Sequence, residues 1–398
     1  MFLSLTYNLK EAELDLKRFN LEVDSIHNNS TDKVITFNSD FKSNDVRNYI
    51  RFSQSVRYIG YITSFYKNLQ ELKKSDMESF FDFLDKFDLD ISKISLTYKF
   101  IKETEKHDRV EFRNEISDIL SSKFTDINLT YSDTKVNLGI IVLEDGFYFT
   151  INIANIDLEK RVYKIFLTNQ SLKPSFTHLC NLKLINSLKE SFDDSDLNIL
   201  NLFSSDGIFS IELSILKNSI DFRKLKREKI FYETLFENND WSDDLDNLDI
   251  SDYEIYAVDD KMAYLKNAEK NAKIVRVKDI NFTREILKYT DFKYGESPMH
   301  GCISYPPLYS KRDGEKYLTK IVKETFFQLE FVLKKNGIFV VIFKTELKDD
   351  VKKIAKKFNF NLLEEKDIFF GNLNLTLFSF KNMKLDKKEA KKIDEEML

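Results

Sequence analysis

Apolar and polar positions change rhythm along this chain. In residues 1–60 the runs FLSLTY and KVITFNS read as strands, and LKEAELDLKRF between them sets its apolar residues at helical spacing. RFSQSVRYIGYITSFYKNLQELKK, residues 51–74, predicts one or two helices. SDMESFFDFLDKF (75–87) opens on Ser75 with Glu78 three residues later, a capping-box arrangement, and predicts another. KISLTYKFI (93–101) is a strand pattern. DRVEFRNEISDILSSKF (108–124) predicts a helix whose buried face carries Val110, Phe112, Ile116, Ile119 and Leu120. VNLGIIVLEDGFYFTINIANI (136–156) holds two strand-like runs hinged on Glu-Asp-Gly, a hairpin signal.

From residue 170 onward strands and helices alternate one for one. A helix at 179–191 leads to the strand NILNLF, a short loop with Gly207, and the helix IFSIELSILKNSI. The basic stretch KNSIDFRKLKREK (217–229) and the loop ENNDWSDDLDNLDISD (237–252), which has seven carboxylates and no basic residue, follow. YEIYAVD is a strand ending in Asp259, and KMAYLKNAEKNA a helix. MHGCISYPPL runs a strand into Pro306-Pro307. YLTKIVKETFFQLEFVLKKNG predicts one helix closed by Asn-Gly, IFVVIF a buried strand, and 359–380 a closing hairpin. The tail 381–398, with six Lys and five acids, predicts a polar, frayed helix. This alternation predicts an α/β fold around a parallel sheet.

Composition narrows the classes. At 398 residues, 42% hydrophobic and 32% charged, the chain predicts two or more folded domains. Its formal charge of −5 excludes a globally basic nucleic-acid binder, though not a local basic patch. Two cysteines, Cys180 and Cys302, make no disulfide framework and predict a reducing, cytoplasmic setting. Four scattered histidines fit no metal-ligand spacing, so no metal is expected. No apolar run reaches the roughly 20 residues that span a bilayer, and MFLSLTYNLKEAELDLKRF turns acidic too early for a signal peptide.

Ligands of open parallel sheets sit outside the carboxyl ends of the strands. Asn201–Gly207, Asp259 and Ser304–Leu308 all end strands at that edge. Each also has a plain reading: Gly207 fits an ordinary strand-to-helix turn, Asp259 a helix cap, Pro306-Pro307 a rigid loop, and 217–229 a solvated face.

These segments resemble class I S-adenosylmethionine-dependent methyltransferases, specifically the archaeal-type tRNA guanine-N2 methyltransferases that carry a THUMP domain. Their first motif, D-P-x-C-G-[ST]-G-x-I-x-I-E, aligns without gaps to NLFSSDGIFSIE. Phe203, Gly207, Ile211 and Glu212 match. Asn201 replaces the Asp, Leu202 the Pro, Ser204 the Cys, Ser205 a Gly and Asp206 the Ser or Thr. YAVDDKMAYLKNAEKNA resembles the second motif, with Asp259 retained, and Asp279 in VRVKDI corresponds to the third-strand acid that contacts adenine. Tyr305-Pro306-Pro307-Leu308 stands for [ND]-P-P-Y, preceded by Ser304.

The resemblance implies a C-terminal Rossmann-like seven-stranded methyltransferase fold at 179–380, with its last strand antiparallel. An N-terminal α+β region at 1–165 would contain a THUMP-like RNA-binding module, joined by a linker at 166–178. S-adenosylmethionine would be the cofactor and tRNA the partner. Asn201, Phe203, Ser205, Asp206, Gly207, Asp259 and Asp279 would bind the cofactor. Ser304, Tyr305, Pro306, Pro307 and Leu308 would hold a flipped guanine. The substitutions add bulk at Ser205, a negative charge facing the cofactor's carboxylate at Asp206, and a poorer amine acceptor at Tyr305. Three functions therefore stand open: a guanine-N2 tRNA methyltransferase, weakened or intact, a catalytically inactive RNA- or partner-binding protein on the same fold, and a methyltransferase acting on another substrate.

Residues 1–170 hold 23 Lys and Arg against 27 Asp and Glu. RNA binding there requires positive charge gathered on one face, for which Lys99, Lys102, Arg109, Arg113, Lys160, Arg161 and Lys164 are the candidates.

Overall fold

Phe2–Tyr7 (β1) opens a first sheet, and Glu11–Lys17 (α1) turns the chain back into Val23–Asn28 (β2) and Asp32–Phe37 (β3). Asn44–Phe52 (α2), Tyr58–Tyr66 (β4), Leu69–Lys74 (α3) and Glu78–Lys86 (α4) follow. Lys93–Phe100 (β5), Lys106–Lys123 (α5), Asn128–Thr130 (β6), Val136–Val142 (β7) and Phe147–Asn152 (β8) complete it. The eight strands run in the order β2-β3-β1-β4-β8-β7-β5-β6; β5 pairs parallel with β6 and β7, and the other neighbours are antiparallel. These positions come from a computed structural model. It describes residues 1–384 except 90–91, 103–104, 126, 131–133, 170, 194–195, 224–229, 238, 243–251, 311, 313 and 371–372. Most of the acidic loop, the end of the basic stretch and the tail beyond 384 lie outside the described residues.

Pro174–Ser191 (α6) leads into the second sheet. Asp196–Leu202 (β9) and Ile208–Lys217 (α7) precede Phe231–Thr234 (α8). Asp252–Asp259 (β10), Met262–Val275 (α9), Ile280–Arg284 (β11), Thr290–Tyr294 (α10) and Met299–Ser304 (β12) come next. Gly314–Tyr317 (α11), Glu324–Val332 (α12), Leu333–Lys344 (β13), Lys348–Lys357 (α13), Phe360–Phe370 (β14) and Leu373–Asn382 (β15) close the chain. The seven strands lie in the order β11-β10-β9-β12-β13-β15-β14. All pairs are parallel except those of β15, which is antiparallel to β13 and β14. This is the seven-stranded sheet with an antiparallel last strand that the resemblance implies.

Two compact units result. One is Met1–Lys160 with Arg223–Leu248; the other is Arg161–Phe222 with Asp249–Leu398. The insert between α7 and β10 thus belongs to the first unit. There the Phe231 and Tyr232 amides donate to the Ala154 and Ile153 carbonyls at 3.0 and 2.7 Å, and Glu233 pairs with Arg47 at 2.9 Å and Arg51 at 2.5 Å.

Four expectations about elements change. Residues 58–66, read as helix, form β4, because YIGYITSFY is built of β-branched and aromatic residues that pair with β1 and β8. The capping box at 75–78 does not form. The Ser75 hydroxyl accepts the Met77 amide at 3.0 Å at the end of α3, and α4 starts after Met77 in a left-handed conformation. Of the expected linker 166–178, the residues from Pro174 on are already α6, with Pro at its start where no amide is missed. The single helix expected before Asn-Gly is α11, a π-helical stretch Leu318–Lys323, and α12, which ends at Val332. Asn336-Gly337 instead makes a bulge in β13, where pairing with β12 jumps from Leu333 to Ile338.

Candidate functional site

Register brings the carboxyl ends of β9, β10, β11 and β12 to one edge. Leu202 lies opposite Val258 and Ser304, and Asp259 opposite Arg284. After Leu202 the chain makes a tight loop in which Phe203, Ser205 and Gly207 all have positive φ, at 55°, 56° and 80°. Ser205 holds a left-handed conformation at the position where the related motif has glycine. A bulky residue such as Phe203 adopts it only when its surroundings impose it.

Those surroundings are visible. The Ser204 amide donates to the Val258 carbonyl at 2.9 Å, and the Gly207 amide to the Ser204 carbonyl at 2.8 Å. The Ser205 amide donates to Asp259 Oδ2 at 2.9 Å, while Asp259 Oδ1 accepts the Lys261 amide at 3.0 Å. A Cβ on Gly207 would stand 2.8 Å from the Ala268 Cβ, so this glycine admits α9 against the loop. Asn201 is buried and joins strands: its Nδ2 donates to the Ile303 carbonyl at 3.2 Å and its Oδ1 accepts the Ser210 hydroxyl at 2.9 Å.

Asp206 does not face the strand-edge cavity. It is buried beside Ser171 and Lys164 on the segment before α6, and burial raises its carboxyl above the usual range against the influence of both. That segment grips the loop from behind. Thr168 and Ser205 share a hydroxyl–hydroxyl bond, and Asn271 accepts the Phe166 amide at 3.0 Å and donates to the Phe166 and Asp206 carbonyls at 3.1 and 3.0 Å. Glu212 of α7 is fully buried, paired with Arg161 at 2.9 Å and bonded by the Tyr163 hydroxyl.

A cavity of about 580 Å³ opens at the strand edge, lined by Leu202, Phe203, Asp259, Asp260, Glu285 to Lys288, Lys320, Ile321 and Glu324 among others. The π-helical stretch supplies Lys320 and Ile321, and a widened turn of this kind is frequent at functional sites. Asp279 is not among the lining residues. It precedes β11, at the amino-terminal edge, where it accepts the Ser214 hydroxyl and Asn218 Nδ2. Glu285, directly after β11, stands at the edge instead, its amide donating to the Asp259 carbonyl at 3.1 Å. Reading VRVKDI as the third strand displaced the element by one strand length; the β-branched and aromatic INFTR was the available signal.

Beyond β12 the Ser304 hydroxyl donates to the Leu202 carbonyl at 3.1 Å and is committed to the sheet. Tyr305 is buried, and burial pushes its hydroxyl up to about 12. Pro306 is buried, Pro307 and Leu308 half-buried, and the Pro307 carbonyl accepts the Tyr317 hydroxyl. Tyr309, one residue past the motif, is half-buried edge-to-face on Tyr317 at 5.3 Å, with the Lys344 ammonium 6.0 Å over its ring.

The seven basic candidates are divided between the two units. Lys99, Lys102, Arg109, Arg113 and Lys160 belong to the first unit, Arg161 and Lys164 to the second. Arg161 is withdrawn from solvent by its pairing with Glu212 and lies 4.4 Å over Phe222, so it cannot meet phosphate. Lys164 donates to the Leu172 carbonyl. Arg109 and Arg113 stack on Phe100 at 5.5 and 5.4 Å. Lys99 alternates with Tyr98 and Phe100 along β5 and so points to the other face, where burial and Arg57 lower its amine.

Comparison with known proteins agrees with this geometry. Residues 190–377 match the family UPF0020, described as an RMKL-like methyltransferase domain. No curated protein matches the chain. Among solved structures, TrmN from Thermus thermophilus is 11% identical, with a TM-score of 0.65, over 96% of this chain and 99% of that one. A possible methylase from Clostridium difficile 630 is 15% identical, with a TM-score of 0.66, over 97% and 99%. SMU.472, assigned as a methyltransferase and complexed with SAH, is 16% identical, with a TM-score of 0.63, over 97% and 98%. At these identities the likeness is one of fold. Residues 190–377 are thus similar to that methyltransferase family over just under half of the chain.

Proposed function

We propose that this chain is an S-adenosylmethionine-dependent methyltransferase that acts on RNA, with a guanine N2 amine of tRNA as the methyl acceptor. One observation carries the reading: the loop after β9 keeps three left-handed residues, although only one is glycine, and it borders a cavity of about 580 Å³ lined by four acids. That shape fits a nucleoside-bearing cofactor, and Phe203 and Ile286 offer apolar walls for its base. The complex of SMU.472 with SAH supports the same cofactor here. Guanine and tRNA rest on the resemblance of Ser304–Leu308 and of the N-terminal half.

When bound, S-adenosylmethionine supplies an electrophilic methyl group on a sulfonium. The chain's own residues position it. Asp259 holds the Ser205 amide, Glu285 would offer a carboxylate to an adenine amine, and Lys288 and Lys320 offset two of the four acids of the wall. On the acceptor side, the Ser304 hydroxyl donates to the Leu202 carbonyl but keeps its oxygen lone pairs, so Ser304 and Tyr305 are the motif's side-chain acceptors. Tyr309, braced by Tyr317, offers a ring on which a base can stack.

A catalytically silent RNA- or partner-binding protein is the second reading, favoured by Tyr305 and Leu308 in the acceptor motif. Calorimetry with S-adenosylhomocysteine, paired with methyl transfer to tRNA and nucleoside analysis, separates the two. The first reading expects micromolar binding and N2-methylguanosine. Absence of binding at millimolar ligand favours the second.

A further inference from the structure

A left-handed serine persists where its surroundings impose it, and Ser205 holds that conformation with a φ of 56° and 5% exposure. Its amide is tied to Asp259. Its hydroxyl, buried with the rest of the side chain, needs a partner of its own, and among the described residues that partner is the Thr168 hydroxyl. A glycine at this position would reach the same φ without strain and would have no hydroxyl to bond. Serine thus brings a strain and a latch together.

Thr168 is anchored for that task. It lies between Phe166 and Asn169, and both are tied to α9. Asn271 accepts the Phe166 amide at 3.0 Å and donates to its carbonyl at 3.1 Å, and the Tyr264 hydroxyl donates to Asn169 Oδ1 at 3.2 Å. Asn271 Nδ2 also donates to the Asp206 carbonyl, next to the latch, at 3.0 Å. Phe203, two residues before Ser205, has its own positive φ of 55° and lines the cavity. The loop, the segment before α6 and α9 therefore close a ring of hydrogen bonds, and a loop held at Ser205 keeps Phe203 in the cavity wall.

We propose that Thr168 is a positioning residue for the cofactor: through the Ser205 hydroxyl it holds the loop after β9 in the shape that binds. The proposal rests on the methyltransferase reading and goes beyond it, since a residue outside every motif then sets cofactor affinity. In this chain the serine that stands at a motif glycine is the loop's point of attachment.

The test is calorimetry of the full chain with S-adenosylhomocysteine, for wild type, Thr168→Val, Thr168→Ser, Ser205→Gly and the double variant of Thr168→Val with Ser205→Gly, together with the Tm of each free protein. Thr168→Val keeps the shape of the side chain and removes the hydroxyl, so it should weaken binding by about five- to tenfold, the worth of one buried hydrogen bond. Thr168→Ser keeps the hydroxyl and should bind as wild type does. On the Ser205→Gly background, which has neither latch nor strain, Thr168→Val should change affinity by less than about twofold. Unchanged affinity in Thr168→Val, even at a lowered Tm, overturns the proposal by reducing Thr168 to a structural role. An equal loss on both backgrounds overturns it too, because the effect would then not pass through Ser205. If Ser205→Gly does not fold, the contrast of Thr168→Val with Thr168→Ser decides alone, and equal losses in the two overturn the proposal. Wild type that does not bind S-adenosylhomocysteine at millimolar concentration overturns the cofactor reading itself, an outcome distinct from the others, and the proposal falls with it.

Discussion

Gly207 owes its identity to a neighbour. Its φ of 80° disfavours any side chain, and a Cβ would meet Ala268 at 2.8 Å. Gly207→Ala should destabilise by about 2–3 kcal/mol in denaturant titration, from left-handed strain plus overpacking. Adding Ala268→Gly should return the steric part and leave the strain. Asp206 gives a prediction of opposite sign. Burial raises its carboxyl in the folded protein, so its contribution to stability is complete below the unfolded value and is lost as pH rises through the folded one. Asp206→Asn should therefore stabilise by about 1–2 kcal/mol at neutral pH. The gain should shrink toward pH 4 when Tm is followed against pH.

At the scale of elements, what the sequence made legible depended on period and length. The βα alternation after residue 170 was readable because each strand is a short apolar run flanked by turn residues, so the sheet and the edge carrying Phe203, Asp259 and Tyr305 were predictable. β4 was misread because YIGYITSFY is mostly apolar and aromatic, broken only by Gly60, Thr63 and Ser64, and such a run shows neither period clearly. Asp279 was misplaced because a strand's end cannot be fixed from apolar content alone, and the cavity's acids besides Asp259, namely Asp260, Glu285 and Glu324, carry no local signature. The face of α5 was half legible. Ile116, Ile119 and Leu120 are buried, whereas Val110 is 49% exposed. Val110→Lys should then change stability by no more than about 0.5 kcal/mol, while Ile116→Ala should cost about 2–5 kcal/mol in the same titration.

At the scale of the molecule, charge is the first consequence. Arg161 serves the interior of the second unit. Arg161→Ala should cost about 3–5 kcal/mol by leaving Glu212 unpaired, yet leave the tRNA affinity of the folded protein unchanged in gel shifts at low and high salt. The second consequence follows from the chain's route. It leaves the first unit at Lys160, returns at Arg223 and departs again at Leu248, and Arg223 donates to the Arg51 and Ser53 carbonyls when it comes back. On the ribosome, the first 160 residues emerge well before the insert that Glu233 pins to Arg47 and Arg51. Chains arrested after residue 160 should therefore expose the surface that Phe231 and Tyr232 later cover, and should resist protease only once the nascent chain has lengthened past the insert. The first unit to be started is finished only after synthesis of the second is under way.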